Sequence, residues 1–385
     1  MLKRFLHSSD FFRSVTVLMS GTVAAQAVGY LVSPIITRIY TPEDFGELGL
    51  YMRIVAFLSA VVTARFELSL MLPKNEGHAF LLYRLAIRIM MITSVIMIVF
   101  FLMYYLLFSN AEDSNLLFAA ITLISTVLVA LINLGTNWAI RNKHFRQVSV
   151  QRFTNSISAN GLKLVFGYMT MGGTGLLLAT VAGYFISSFT YVRDYYRLVT
   201  NKFRSYSVKK VRVLAMEYRQ FPMVNLPHVL TDLGRDLLVA TILVGFYSKE
   251  SFGHFSLAFS MLKLPLVIIG ASIGQVLYQR CSTMFNSGDK FVPLVRKTVR
   301  TLFLFSIPPF LGVFLFGDEL FSFVFGSQWL SAGVYAQIIT FWLMINFILS
   351  PLSSLPLIVG KAREFFFINL IGSVLQVTGF LVIPV

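Results

Sequence analysis

The 385-residue chain is 56% apolar and 13% charged, with 38 phenylalanines and a formal net charge of +15. Soluble domains run at roughly 45–50% apolar and about 25% charged, so this chain lacks the polar surface a water-soluble fold needs and reads as a polytopic membrane protein. The basic excess would suggest nucleic acid on a soluble protein, but here it sits in short loops between apolar runs, where it marks membrane orientation and implies no nucleic-acid partner.

Eleven apolar stretches can cross a hydrocarbon core of about 30 Å at about 1.5 Å per residue. They lie near residues 13–40, 45–72, 84–108, 115–140, 150–170, 174–193, 221–246, 252–278, 294–316, 328–359 and 365–385. Helices are expected, because a lipid-exposed backbone must satisfy its own hydrogen bonds, and the alternating short strands of an outer-membrane barrel are missing from the pattern. Ala25-Gln26-Ala27 after a basic start has the look of a signal-peptide cleavage site. The apolar run nevertheless continues through Ile36 and is repeated in the second half of the chain, so the first span reads as a retained helix.

Several spans carry a polar face at helical spacing. In the first, Thr22, Gln26, Gly29, Ser33 and Thr37 share a face, with Pro34 as a kink. The second has Arg53 in its outer half, and Arg65 and Glu67 near its inner end, where snorkelling accounts for Arg65. The fifth has Ser156, Asn160 and Lys163. The seventh has Asn225, His228, Asp232, Arg235 and Asp236, with Pro222 and Pro227 nearby. The eighth has Ser256, Ser260, Lys263, Gly270 and Gly274. For the small and hydroxyl residues the plain reading is helix packing.

Charges are harder to dismiss, since an ionised group at mid-bilayer costs at least about 2.5–3.5 kcal/mol. Asp232, Arg235 and Asp236 stand three and four residues apart and suit a local ion pair. Lys163 and Lys263 have no acidic neighbour in their own helices. They require an acid across the bundle, a water-filled cavity or an anionic ligand. Together with Arg53 and Arg235 around one cavity, they would suit a phosphate-bearing substrate. Gln26, Asn160, Asn225 and His228 are candidate sugar contacts, and Arg65, Glu67, Asp232 and Asp236 candidate ion-coupling or gating groups. The lone cysteine, Cys281, excludes an internal disulfide. His7, His78, His144, His228 and His254 lack ligand spacing, and neither a metal nor a cofactor is indicated.

With the N-terminus cytoplasmic, the inner segments collect 25 Lys and Arg, whereas the outer loops hold only Lys249 and are acidic at Glu43/Asp44/Glu47, Glu112/Asp113 and Asp318/Glu319. The largest basic loop, Arg193–Arg219, carries eight Lys and Arg. It reads as a linker between two halves or as a contact to anionic lipid.

The halves repeat. Tyr40-Thr-Pro-Glu-Asp-Phe-Gly-Glu-Leu-Gly-Leu50 aligns with Tyr247-Ser-Lys-Glu-Ser-Phe-Gly-His-Phe-Ser-Leu257, with five of eleven positions identical. Arg84 and Arg88 match Arg296 and Arg300, and Arg141-Asn-Lys143 matches Lys361-Ala-Arg363. The expected organisation is a six-helix lobe over 1–196, a basic linker over 197–220 and a second lobe over 221–385. That second lobe completes five spans, so a twelfth helix is missing from the repeat. Such parallel repeats favour a transporter that binds substrate between them and works by alternating access.

Ser33-Pro-Ile-Ile-Thr-Arg38-Ile-Tyr-Thr-Pro-Glu-Asp-Phe-Gly46, with Ala64-Arg-Phe-Glu67 and Leu72-Pro-Lys-Asn75, resembles the opening of the Wzx-type O-antigen, or oligosaccharide, flippases of the multidrug/oligosaccharidyl-lipid/polysaccharide exporter superfamily. The detailed match covers about the first ninety residues. The resemblance implies an all-α fold of two six-helix lobes around a cationic cavity, in the bacterial plasma membrane, with no ATPase domain. It implies transfer of undecaprenyl-diphosphate-linked oligosaccharide from the inner to the outer leaflet for surface polysaccharide such as O-antigen. Membrane lipids and polysaccharide polymerase or assembly proteins are then the candidate partners. A peptidoglycan lipid-precursor flippase, a cation-coupled multidrug exporter and an inactive truncated remnant stay open as alternatives. A membrane glycosyltransferase is disfavoured, because every outer loop is short.

Overall fold

The computed structural model describes residues 2–108, 113–201, 208–266, 270–353 and 355–382. Glu112 of an expected outer acidic loop, residues 202–207 of the basic linker and residues 267–269 of the eighth apolar stretch lie outside the described residues, as do 354 and 383–385. The described residues form helices, with no strand among them. In chain order these are α1 (Leu2–Ile39), α2 (Pro42–Val62), the short α3 (Phe66–Ser69), α4 (Glu76–Phe108), α5 (Asp113–Arg141), α6 (Phe145–Tyr168), α7 (Gly172–Asn201) and α8 (Val208–Glu217). A π-helical turn, Phe221–Asn225, leads into α9 (Leu226–Phe246). There follow α10 (Lys249–Pro265), α11 (Ala271–Asn286), α12 (Val292–Phe325), α13 (Leu330–Leu349), α14 (Leu355–Ile358) and α15 (Ala362–Val382).

Each of the eleven apolar stretches has helix among its described residues, as a membrane-embedded backbone demands, although the second is broken at residues 63–65 and the tenth at Ser350–Leu352. Among the described residues, seven helices are long and apolar enough to cross a membrane, within α1, α2, α4, α5, α7, α12 and α13. The other stretches fall short for visible reasons. Polar Arg152, Ser156, Asn160 and Lys163 dilute α6; Asp232, Arg235 and Asp236 do the same in α9. α10 and α11 share one apolar stretch and have 17 and 16 residues. α15 carries a shorter apolar run, Phe367–Thr378, among the described residues.

Backbone contacts divide the chain into two compact units, residues 1–36 with 50–237 and residues 37–49 with 238–385. In the first unit, α1 and α6 are in close contact. Ser156 Oγ donates to the Ala25 carbonyl at 2.6 Å, and Arg152 Nη1 donates to Thr22 Oγ1. Asn160 lies beside Gly29, and a Cβ on Gly21 would overlap Ser149. The contacting numbers rise together on both helices, so α1 and α6 run parallel. That is the relation a first and a fifth span must have in an up-and-down series. At one end of this unit, Phe66, Leu70, Phe80, Leu134 and Trp138 form a buried core joining α3, α4 and α5. Arg141 closes it by donating to the Leu70 carbonyl at 2.7 Å and the Pro73 carbonyl at 2.6 Å.

In the second unit, the repeated segments meet. Thr41 and Asp44 form a reciprocal cap at the start of α2: the Thr41 amide donates to Asp44 Oδ2 at 2.9 Å, and the Asp44 amide to Thr41 Oγ1 at 3.3 Å. Pro42 takes the first helical position, where no amide is needed. The equivalent Ser248 caps α10, accepting from the Ser251 amide at 3.0 Å. A Cβ on Gly46 would overlap the Lys249 carbonyl, and one on the equivalent Gly253 would overlap that of Pro42. Reciprocal contact between equivalent residues is what a two-fold relation of the two segments produces. The fully buried Trp329 donates its indole N–H to the Thr37 carbonyl at 2.7 Å and meets the ring of Phe45 edge-on, with centroids 4.9 Å apart.

Candidate functional site

The first unit holds a cavity of about 570 Å³ within the span of α1, α2, α5, α6 and α7. The largest share of its polar wall comes from α6, where Arg152, Ser156, Asn160 and Lys163 follow one another at three- and four-residue spacing and so lie on one helical face. Arg152 and Lys163 are separated by about 16 Å along the axis, at 1.5 Å per residue. Thr22 and Gln26 of α1, Asn133 and Thr136 of α5 and Tyr184 of α7 add hydroxyls and amides. No Asp or Glu is among the described lining residues. The wall thus carries two cations and many neutral donors.

Hydrogen bonds hold this wall in place. Asn160 Nδ2 donates to the Ser156 carbonyl at 2.8 Å, and Thr136 Oγ1 lies 3.0 Å from the Tyr191 hydroxyl. Tyr51 and Ser125 share a buried hydroxyl contact that ties α2 to α5. One lining atom, Asn155 Oδ1, is buried without a hydrogen-bond partner. A buried carbonyl oxygen left without a donor is costly, and a ligand hydroxyl is one group that supplies it. Cations and amides in one wall suit a ligand that carries negative charge at one part and hydroxyls at another.

The residues singled out in the sequence divide among several places. Gln26, Asn160 and Lys163 line the cavity. Arg235 is held on its own helix, donating to Asp236 Oδ1 from Nε at 3.2 Å and from Nη2 at 3.1 Å, with Asp232 4.0 Å away. Arg53 also has Asp236 as its electrostatic neighbour. Arg65 lies 3.3 Å from Glu67 and donates from Nε to Asn225 Oδ1 at 3.2 Å. It does so from a left-handed backbone, with φ of 61° following 47° at Ala64. Glu67 is buried, and its Oε2 has no hydrogen-bond partner. His228 is exposed. Lys263 belongs to the second unit, where its Nζ stands 5.0 Å from the centroid of the Phe259 ring, a cation–π contact.

Arg152, Asn133, Asn155 and Tyr184 were not among the sequence candidates. Arg152 stands near the start of α6, close to the loop cations Lys143 and Arg146, and its spacing to Ser156, Asn160 and Lys163 is the signal that places it on their face. Asn133 and Tyr184 sit within strongly apolar helices and carry no comparable signal.

No curated protein matches the chain. Solved structures do, and two of them are as follows. One shows the inward-facing conformation of a multidrug resistance MATE family transporter of the MOP superfamily, at 13% identity, covering 92% of this chain and 86% of that one with a TM-score of 0.64. The other is a crystal structure of a MATE point mutant, at 14% identity, covering 95% of this chain and 86% of that one with a TM-score of 0.53. At such identities the likeness is one of fold, that of an all-α, multi-pass membrane transporter. A family model described as polysaccharide biosynthesis protein matches residues 35–333. The chain belongs to that polysaccharide biosynthesis family.

Proposed function

We infer that the protein is a Wzx-type flippase that moves undecaprenyl-diphosphate-linked oligosaccharide from the cytoplasmic to the outer leaflet of a bacterial plasma membrane, with its N-terminus cytoplasmic. The observation that carries this reading is the cavity of the first unit, with Arg152 and Lys163 in its wall and no carboxylate among the described lining residues. A cation-coupled drug exporter is expected to present acidic groups to its cargo. This wall presents the opposite charge, in a chain of a polysaccharide biosynthesis family.

In this reading Lys163 and Arg152, about 16 Å apart along α6, meet the diphosphate one after the other through charge-assisted hydrogen bonds. Gln26, Asn160, Asn133 and Asn155 meet sugar hydroxyls, and the polyprenyl tail stays in lipid. The volume of about 570 Å³ falls within the roughly 300–1,000 Å³ of small-ligand sites, so it receives part of the head group at a time. Lys263 is a separate candidate for phosphate contact in the second unit. The two units act as the two lobes of an alternating-access cycle. Arg65 and Glu67 serve as an ion-paired element that re-pairs during the cycle, whereas Asp232 and Asp236 hold the cations of the bundle in place.

The test is the leaflet distribution of lipid-linked oligosaccharide after depletion of this protein in its native host. Accumulation on the cytoplasmic leaflet with loss of surface polysaccharide is expected. An unchanged distribution, in a strain that makes the precursor and has no second flippase, overturns the reading. Accumulation of the peptidoglycan precursor instead reassigns the substrate.

A further inference from the structure

From Val208 onward, the basic segment that follows α7 folds into α8. Val211, Leu214 and Tyr218, spaced i, i+3 and i+7, pack into the core that contains Ala79, Phe80 and Tyr83 of α4. This contact sets the level of α8 and its roll. Ala79 to Tyr83 belong to the first turns of α4, and the same core takes in Leu134 and Trp138 from the last turns of α5. Both helices are membrane spans, so α8 lies where hydrocarbon gives way to headgroups. With Leu214 turned inward at 4% exposure, the opposite face shows Val213 at 64% and Met216 at 57%. Lys210, Arg212 and Arg219 flank them and are exposed.

Water gives no reason to display two apolar side chains between three cations. An interfacial helix does it routinely: apolar groups enter the acyl boundary while cations meet lipid phosphate. The surrounding sequence adds to the field, since Arg193–Arg219 carries eight Lys and Arg against only Asp194 and Glu217. We propose that the outward face of α8 binds anionic lipid headgroups of the adjoining leaflet, with Lys210, Arg212 and Arg219 on phosphates and Val213 and Met216 among the upper acyl chains. The inference requires only that the chain spans a membrane, and it stands apart from the identity of the transported molecule.

The experiment uses the full chain with Cys281→Ser and Val213→Cys, a nitroxide attached at position 213, reconstituted in vesicles. Cys281 is fully buried, so the replacement leaves the labelled surface untouched. The expected result in phosphatidylglycerol-containing vesicles is a label more accessible to oxygen than to a water-soluble nickel complex. The ratio should reverse in phosphatidylcholine alone, and in the Lys210→Gln/Arg212→Gln/Arg219→Gln variant, which keeps the docking residues Val211, Leu214 and Tyr218. A label in water under every condition overturns the proposal. So does equal embedding in both lipids and in the variant, which would make the contact purely apolar. A label immobilised and shielded from both reagents overturns it in favour of a protein partner.

Discussion

Helices α6 and α9 both place intramembrane cations in the first unit, and they treat them differently. On α9, Arg235 has Asp232 and Asp236 as neighbours on the same helix, with N–O distances of 4.0 and 3.1 Å, and Asp236 also serves Arg53 of α2. On α6, Arg152 and Lys163 look into a cavity whose described wall holds no acid. A cation with an acid already beside it lowers its own insertion cost and keeps the helix bundle together. A cation facing a hollow of amides and hydroxyls has its field directed at whatever enters. The difference separates charges that serve architecture from charges that serve a ligand.

The strongest way to break the comparison is to neutralise both α6 cations. Arg152→Gln/Lys163→Gln should lower transport by more than about 100-fold with normal membrane insertion, since each charged hydrogen bond contributes roughly 1.5–3 kcal/mol. Lys163→Gln alone should lower it about 10- to 100-fold, measured as flipping of a labelled polyprenyl-diphosphate glycan in proteoliposomes. The comparison is sharpened by making α6 resemble α9. Asn160→Asp places an acid three residues from Lys163, as Asp232 stands from Arg235. Transport should fall nearly as far as in Lys163→Gln, and full activity would show that the free field of the cavity is irrelevant.

The paired cations should behave in the reverse sense. Asp236→Asn removes the shared partner of Arg235 and Arg53, so thermal unfolding in detergent should shift down by a few degrees while transport changes only a few-fold. Arg235→Gln/Asp236→Asn should recover part of the lost stability, because Arg235 is no longer present without Asp236, while Arg53 still lacks it. Asn225→Ala is expected to have the smallest effect. It removes one acceptor of Arg65, which keeps its pairing to Glu67 at 3.3 Å.

The all-helical membrane fold was legible because lipid admits so few backbone solutions. The run lengths located the helices; seven of them are long and apolar enough to cross a membrane among the described residues, and α6 and α9, which are not, are those whose polar faces stand out in the sequence. Gln26, Asn160 and Lys163 were legible as cavity residues from helical spacing and the cost of a lone charge. Arg152 was not, because position along the chain put it near a loop while its place on the α6 face put it in the wall. Arg53 and Arg235 are not among the described lining residues of this cavity; spacing along one helix shows Asp236 beside Arg235, whereas its effect on Arg53 depends on packing between helices. The repeat around Gly46 and Gly253 was legible as identity; that these glycines meet across a reciprocal contact depends on tertiary packing that the linear pattern does not contain.

The central claim is that the α6 cavity recognises a diphosphate. It is tested most directly by the affinity of the full chain, in nanodiscs, for undecaprenyl diphosphate and for undecaprenol. The wild-type chain should prefer the diphosphate by at least about 10-fold, as one charge-assisted contact at a time implies, and Arg152→Gln/Lys163→Gln should bind the two lipids alike. An equal preference for the diphosphate in that variant and in the wild type would contradict the account.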